Sequence, residues 1–175
     1  SPVEVTRFTG ASPAMLGRGS IAVQPGPMQQ PGSWDQAAFQ VAVAERLARL
    51  GYTVTGDGAQ QVAEVSVAQT VDRPGRGRSP VSVGVGGSTG SYGYGSGVGM
   101  GIGIDLTPRS GPLTDTELRV TIRPAGGGLA LWEGRAHFAA SADSRYADRR
   151  AAAGRLAEAL FSGFPGRSGE TIEVR

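Results

Sequence analysis

Cysteine, lysine and asparagine are missing from this 175-residue sequence. Without cysteine there is no thiol nucleophile, no disulfide and no thiolate metal site. Without lysine there is no Schiff base and no P-loop or kinase-type lysine. Histidine is almost missing as well. His137 is the single one, so a histidine-rich metal centre would have to draw on several chains. No run of 18 apolar residues occurs, which excludes a membrane-spanning helix of ordinary length. A strong charge of either sign is also lacking: 17 basic residues against 15 acidic ones leave a formal charge of +2. The densest basic cluster, Arg73, Arg76 and Arg78, lies in a Pro/Gly-rich stretch. Nucleic-acid binding needs a more concentrated field, so no nucleic-acid partner is expected.

What remains is rich in glycine. The chain holds 29, more than twice the share of an average protein, which is roughly 7%. Hydrophobic residues make up 39%, enough for a packed core at this length. The expectation is one domain over residues 1–175, with a glycine-rich hairpin insertion at about 74–106.

Local patterns predict two helices. Ser33 is a good N-cap, with Gln36 three residues on as in a capping box. Phe39, Val43, Leu47 and Leu50 then follow at helical spacing, and Gly51 sits where a C′ glycine belongs. This predicts a helix over Ser33–Leu50. A second helix is predicted over Ser144–Gly163, capped near Asp143 or Ser144. Its apolar side is Tyr146, Ala153, Leu156, Ala157, Leu160 and Phe161, and Gly163 and Pro165 stop it.

Alternation with a period of two predicts the strands. They fall at Val3–Phe8, Ser20–Gln24, Tyr52–Thr55, Val62–Val71, Asp115–Arg123 and Leu129–Ala139, with an edge strand at Thr171–Val174. Trp132 and Phe138 share a face that should point inward. The predicted class is α+β, a mainly antiparallel sheet with both helices packed on one face.

The insertion has its own alternation. Val81, Val83 and Val85 interleave with Ser82, Gly84 and Gly86. Val98, Met100, Ile102, Ile104 and Leu106 interleave with Gly97, Gly99, Gly101, Gly103 and Asp105. That pattern reads as two strands, each apolar on one face and bare on the other, joined by a tip containing Tyr92 and Tyr94. A bare face invites close approach by another backbone. Tyr92, Tyr94, Val98, Met100, Ile102 and Ile104 are therefore the candidate interaction residues.

Catalytic patterns are thin. Gly86-Gly87-Ser88-Thr89-Gly90 matches the nucleophile elbow of hydrolases, but glycine follows where that elbow needs a helix. The one available base is His137, within a predicted strand. Glycine spacing between Gly84 and Gly103 does not form a dinucleotide fingerprint. Asp105, Asp115 and Glu117 could gather around a cation, though solvated acids are the plainer reading. No catalytic, cofactor-binding or metal-ligating residue is assigned, and no cofactor is expected.

The carboxy-terminal half carries a resemblance. Leu131-Trp132-Glu133-Gly134-Arg135-Ala136 precedes a helix that ends Leu160-Phe161-Ser162-Gly163-Phe164-Pro165. Upstream lie a helix ending Leu50-Gly51-Tyr52 and the Gly/Tyr-rich insertion. From Val3 to Pro165 the chain resembles a bacterial lipoprotein family known as domain of unknown function 4136, with its "W-x-G" strand and its closing helix before "F-P". The resemblance implies an α+β fold and a place on the periplasmic side of the cell envelope. It also implies an outer-membrane tether through an N-terminal lipid on a cysteine outside this sequence. It supplies no catalytic residues. The expected function is a non-enzymatic binding or assembly module whose partner is an envelope protein or a second copy. The alternatives are an oligomer joined through its glycine-rich hairpins and, third, a hydrolase.

Overall fold

The computed structural model describes residues 2–27, 29, 34–72, 112–141, 144 and 148–175. Ser33, Ser88, Asp143, Tyr146 and the six candidate interaction residues of the insertion lie outside the described residues.

Strand alternation organises the chain. In β1 (Val3–Thr9) Val3, Val5 and Arg7 are buried while Glu4 and Phe8 are exposed. β2 (Ser20–Pro25) leads into α1 (Trp34–Arg49), then β3 (Thr53–Val54) and β4 (Gln61–Asp72). β5 (Leu113–Pro124) and β6 (Trp132–Ser141) form an antiparallel hairpin. In β6 every second residue from Trp132 to Ala140 is buried, so Trp132 and Phe138 face inward as the alternation requires. α2 (Arg149–Leu160) and β7 (Thr171–Val174) complete the chain.

The class is α+β, but the sheet is mixed, not mainly antiparallel. Its seven strands run β3-β2-β4-β5-β6-β1-β7. β2 is parallel to both β3 and β4. The other four pairings are antiparallel. The reason is the crossover: α1 carries the chain back to the end where β2 began, so the strands after it run with β2. Alternation within a strand reports which face is buried and carries no sign of direction.

One apolar cluster joins strands and helices. Ile21, Ala63, Val65, Leu118, Val120, Ile122 and Trp132 from the sheet share it with Phe39, Val43 and Leu47 of α1 and with Leu156 and Leu160 of α2. Leu50, the last residue of the α1 stripe, is only partly buried. Burying each large apolar side chain is worth about 1.5–3 kcal/mol.

The second helix starts later than predicted. Its N-cap is Asp148, whose Oδ2 accepts from the Ala151 amide at 3.1 Å, and Ser144 lies outside it. Aspartate caps as well as serine does, so sequence offers several starts in this stretch. The helix also ends at Leu160, three residues early, and the turn that follows carries Gly163 at φ +69, a left-handed backbone that no helix continues through.

Leu156 is fully buried and Arg149 is exposed. Leu156→Asp should cost on the order of 4 kcal/mol or more and unfold the protein near room temperature. Arg149→Ala should stay within about 0.5 kcal/mol of the parent. Urea melts of the two variants check the helix face, and similar midpoints would contradict it.

Candidate functional site

The residues that carry the family resemblance meet at the end of α2. Trp132 and Gly134 sit two apart on β6 and so share its inner face. The indole lies across Gly134: a Cβ there would come within 2.4 Å of Trp132 Cη2 and 2.9 Å of Leu160 Cδ1. Phe161 stacks on the same indole, with ring centres 5.3 Å apart, and Phe164 tilts against it at 5.1 Å. Trp132 Nε1 donates to the Pro165 carbonyl at 3.0 Å. The "W-x-G" strand and the "F-P" turn are thus two halves of one packed joint.

Arg7 completes that joint. It is a charged residue on the inner face of β1, only 6% exposed. Its Nη1 donates to the Leu160 carbonyl at 3.2 Å and to the Ser162 carbonyl. These carbonyls belong to the end of α2, where helical partners run out and the helix dipole favours a cation. The Arg7 carbonyl in turn accepts from the Gly169 amide at 2.7 Å. Burial lowers the arginine's pKa from its ordinary value, while the charge of Glu170 acts the other way. Sequence alternation placed Arg7 with Val3 and Val5 but assigned it no role. The available signal was a charge on an otherwise apolar strand face.

A second joint gathers Leu50-Gly51-Tyr52. Gly51 has φ +113, and a Cβ on it would lie 2.5 Å from the Gly17 carbonyl oxygen. Tyr52 Oη donates to Gln61 Oε1 at 2.7 Å, and Gln61 Nε2 donates to the Met15 carbonyl at 2.9 Å. Burial raises the Tyr52 pKa, opposed by a hydrogen bond with the Gly17 backbone. Gln36, expected at a capping box, sends Nε2 to the Val65 carbonyl at 2.8 Å and stitches α1 to β4. Internal hydrogen bonds hold the loops of both joints in place.

The ionisable chemistry lies on the other side of the sheet. His137 is half-exposed on the outer face of β6. Its Nε2 is 2.7 Å from Glu4 Oε1, and its Nδ1 is 3.5 Å from Asp115 Oδ1. Glu117 is its cross-strand neighbour on β5. Asp115 and Glu117 therefore flank one histidine from within a strand; Asp105 lies outside the described residues. Burial lowers the His137 pKa, but the Glu4 hydrogen bond and the Asp115 and Glu4 charges outweigh it, so the net shift is upward. A general base needs a neutral, accessible nitrogen. Here both ring nitrogens face carboxylates, and a hydroxyl nucleophile would have to displace Glu4. No group of three or more acids, histidines or cysteines is placed to hold a metal ion among the described residues. A groove of about 630 Å³ runs between α1 and α2, lined by Ala37, Ala38, Val41, Ala42 and Gly154, with Glu45 and Arg150 as its ionisable residues.

No family model and no curated protein matches the chain. Solved structures do match. A PelC dodecamer from Paraburkholderia phytofirmans has 11% identity, a TM-score of 0.51, and coverage of 95% of this chain and 99% of its own. A single-substitution variant of the same dodecamer has 12% identity, with the same TM-score and coverages.

The chain is similar to PelC in fold.

A PDZ domain protein from Parabacteroides distasonis matches with 11% identity and a TM-score of 0.50, over 99% of this chain and 39% of that one. The likeness to PelC runs nearly end to end in both chains, at an identity that speaks for fold alone.

Gly134→Ala should lower stability by about 1–3 kcal/mol, because the methyl group must displace Trp132 or Leu160. Thermal denaturation checks it; an unchanged midpoint would mean the indole does not lie there. For His137, the folded pKa is raised. Its stabilisation is therefore complete below the unfolded value, near 6.5, and fades as pH rises through the folded value. The melting-temperature gap between parent and His137→Gln should be wide at pH 5.5 and close toward pH 8.5. A gap independent of pH would show that the two carboxylates do not hold the ring.

Proposed function

We propose that this chain is a non-catalytic binding or assembly module on the periplasmic side of the bacterial cell envelope. It is tethered to the outer membrane through an N-terminal lipid outside this sequence. The observation that carries the reading is the fold likeness to PelC, a protein crystallised as a dodecamer, across 95% of this chain. The family resemblance on Trp132, Gly134, Phe164 and Pro165 supports the envelope address. In keeping with a scaffold, these residues pack against one another. In this reading both helices cover the inner face of the sheet, which leaves the outer face and the strand edges for partners.

A second observation favours self-association through the glycine-rich insertion. β4 and β5 are paired without a break from Gln61 opposite Pro124 to Asp72 opposite Leu113. They therefore launch and receive the residues between them side by side, in antiparallel register. In the sequence between them, Val81, Val83 and Val85, and Met100, Ile102 and Ile104, each alternate with serine or glycine. A lone hairpin leaves its edges unpaired, and a ring of copies pairs them.

Mass photometry of the 175-residue chain and of a variant lacking residues 81–106, each in buffer and in detergent, tests this. Assemblies of more than two copies for the full chain and their loss on deletion are expected. A strict monomer in both media would overturn association through the insertion.

A further inference from the structure

The outer face of the sheet carries charge in rows. Residues two apart on a strand share a face and lie about 7 Å apart. Cross-strand register therefore lines up one row across the strands. Glu117 lies beside His137 in one row. The next row sets Arg119 directly opposite Arg135. The row after it holds Glu64 and Glu133, with Thr121 between them. Arg123 belongs to the row beyond. From the Glu117 row to the Arg123 row the sign alternates; Asp115, one row further along β5, is acidic like Glu117.

Two of these charges stand apart. Arg119 has Glu117 at 3.8 Å, and Arg123 has Glu64 at 3.1 Å. Arg135 and Glu133 have no ion-pair partner among the described residues. Arg135 is exposed and sits against another arginine, a cross-strand arrangement that destabilises a sheet when nothing neutralises it. The two unpaired charges are opposite in sign and are next-but-one neighbours on β6.

We infer that this face binds a second copy of itself across a two-fold axis that runs along the sheet, perpendicular to the strands, and passes between Glu133 and Arg135. Such an axis lays Arg135 of each copy over Glu133 of the other. It also lays Glu117 over Arg123. Alternating rows are complementary to themselves when reversed about a line between rows, and a two-fold contact is isologous in this way. Charge complementarity of this kind fixes register and partner more than it adds affinity. The contact uses no residue of 81–106, so it stands or falls apart from association through the insertion.

Sedimentation velocity of the full chain at 50 mM and 500 mM salt tests the proposal. A two-copy contact is expected at low salt and weakened at high salt, since exposed charges are screened. Arg135→Glu and Glu133→Arg should each weaken it about tenfold or more. Mixing these two variants should restore it, because the acidic face of one meets the basic face of the other. The double variant, Glu133→Arg with Arg135→Glu, should restore it within a single chain. Thermal melts confirm that the variants fold. Weakening without rescue in the mixture, or association unchanged by either single variant, would overturn the contact. So would a chain whose association is the same at 50 mM and 500 mM salt.

Discussion

Everything at the carboxy-terminal end of the fold depends on an indole lying across a residue with no side chain. Trp132 can cover Gly134 only because nothing projects from that position. With the indole down, its ring offers a flat surface to Phe161 and Phe164 and its Nε1 reaches the Pro165 carbonyl. The turn after α2 is thereby pulled against the sheet. Arg7 then serves the carbonyls that the helix leaves open. A lysine would serve this place less well, since the guanidinium presents several donors in a fixed plane.

Two faces of one sheet do different work. The inner face is apolar apart from Arg7, Gln61, Thr116 and the polar contacts they make, and it belongs to the cluster shared with α1 and α2. The outer face carries arginines, acids and one histidine in rows set by strand register. His137 sits there between acids, which raises its proton affinity and ties it to β1 and β5. That setting makes the ring an electrostatic link between strands.

The parallel pairings of β2 with β3 and β4 follow from one sixteen-residue helix. They place the longest strands, β4 and β5, beside each other in the middle of the sheet. The chain leaves β4 at Asp72 and re-enters the sheet in β5 at Leu113, directly opposite.

The identity of the buried positions was legible in the residues themselves. Phe39, Val43 and Leu47 at helical spacing, and Leu118, Val120, Ile122, Trp132 and Phe138 at a period of two, all lie in the core. Periodicity reports burial because side-chain direction repeats with the backbone geometry of each element. The W-x-G and F-P residues were visible as a motif, but their meeting was not: Trp132 and Pro165 are 33 residues apart, and only packing brings them together. The same holds for Arg7 at the end of α2, for His137 between Glu4 and Asp115, and for the direction of β2. Each depends on which distant strand lies alongside, and contacts of that kind are decided by the folded chain as a whole.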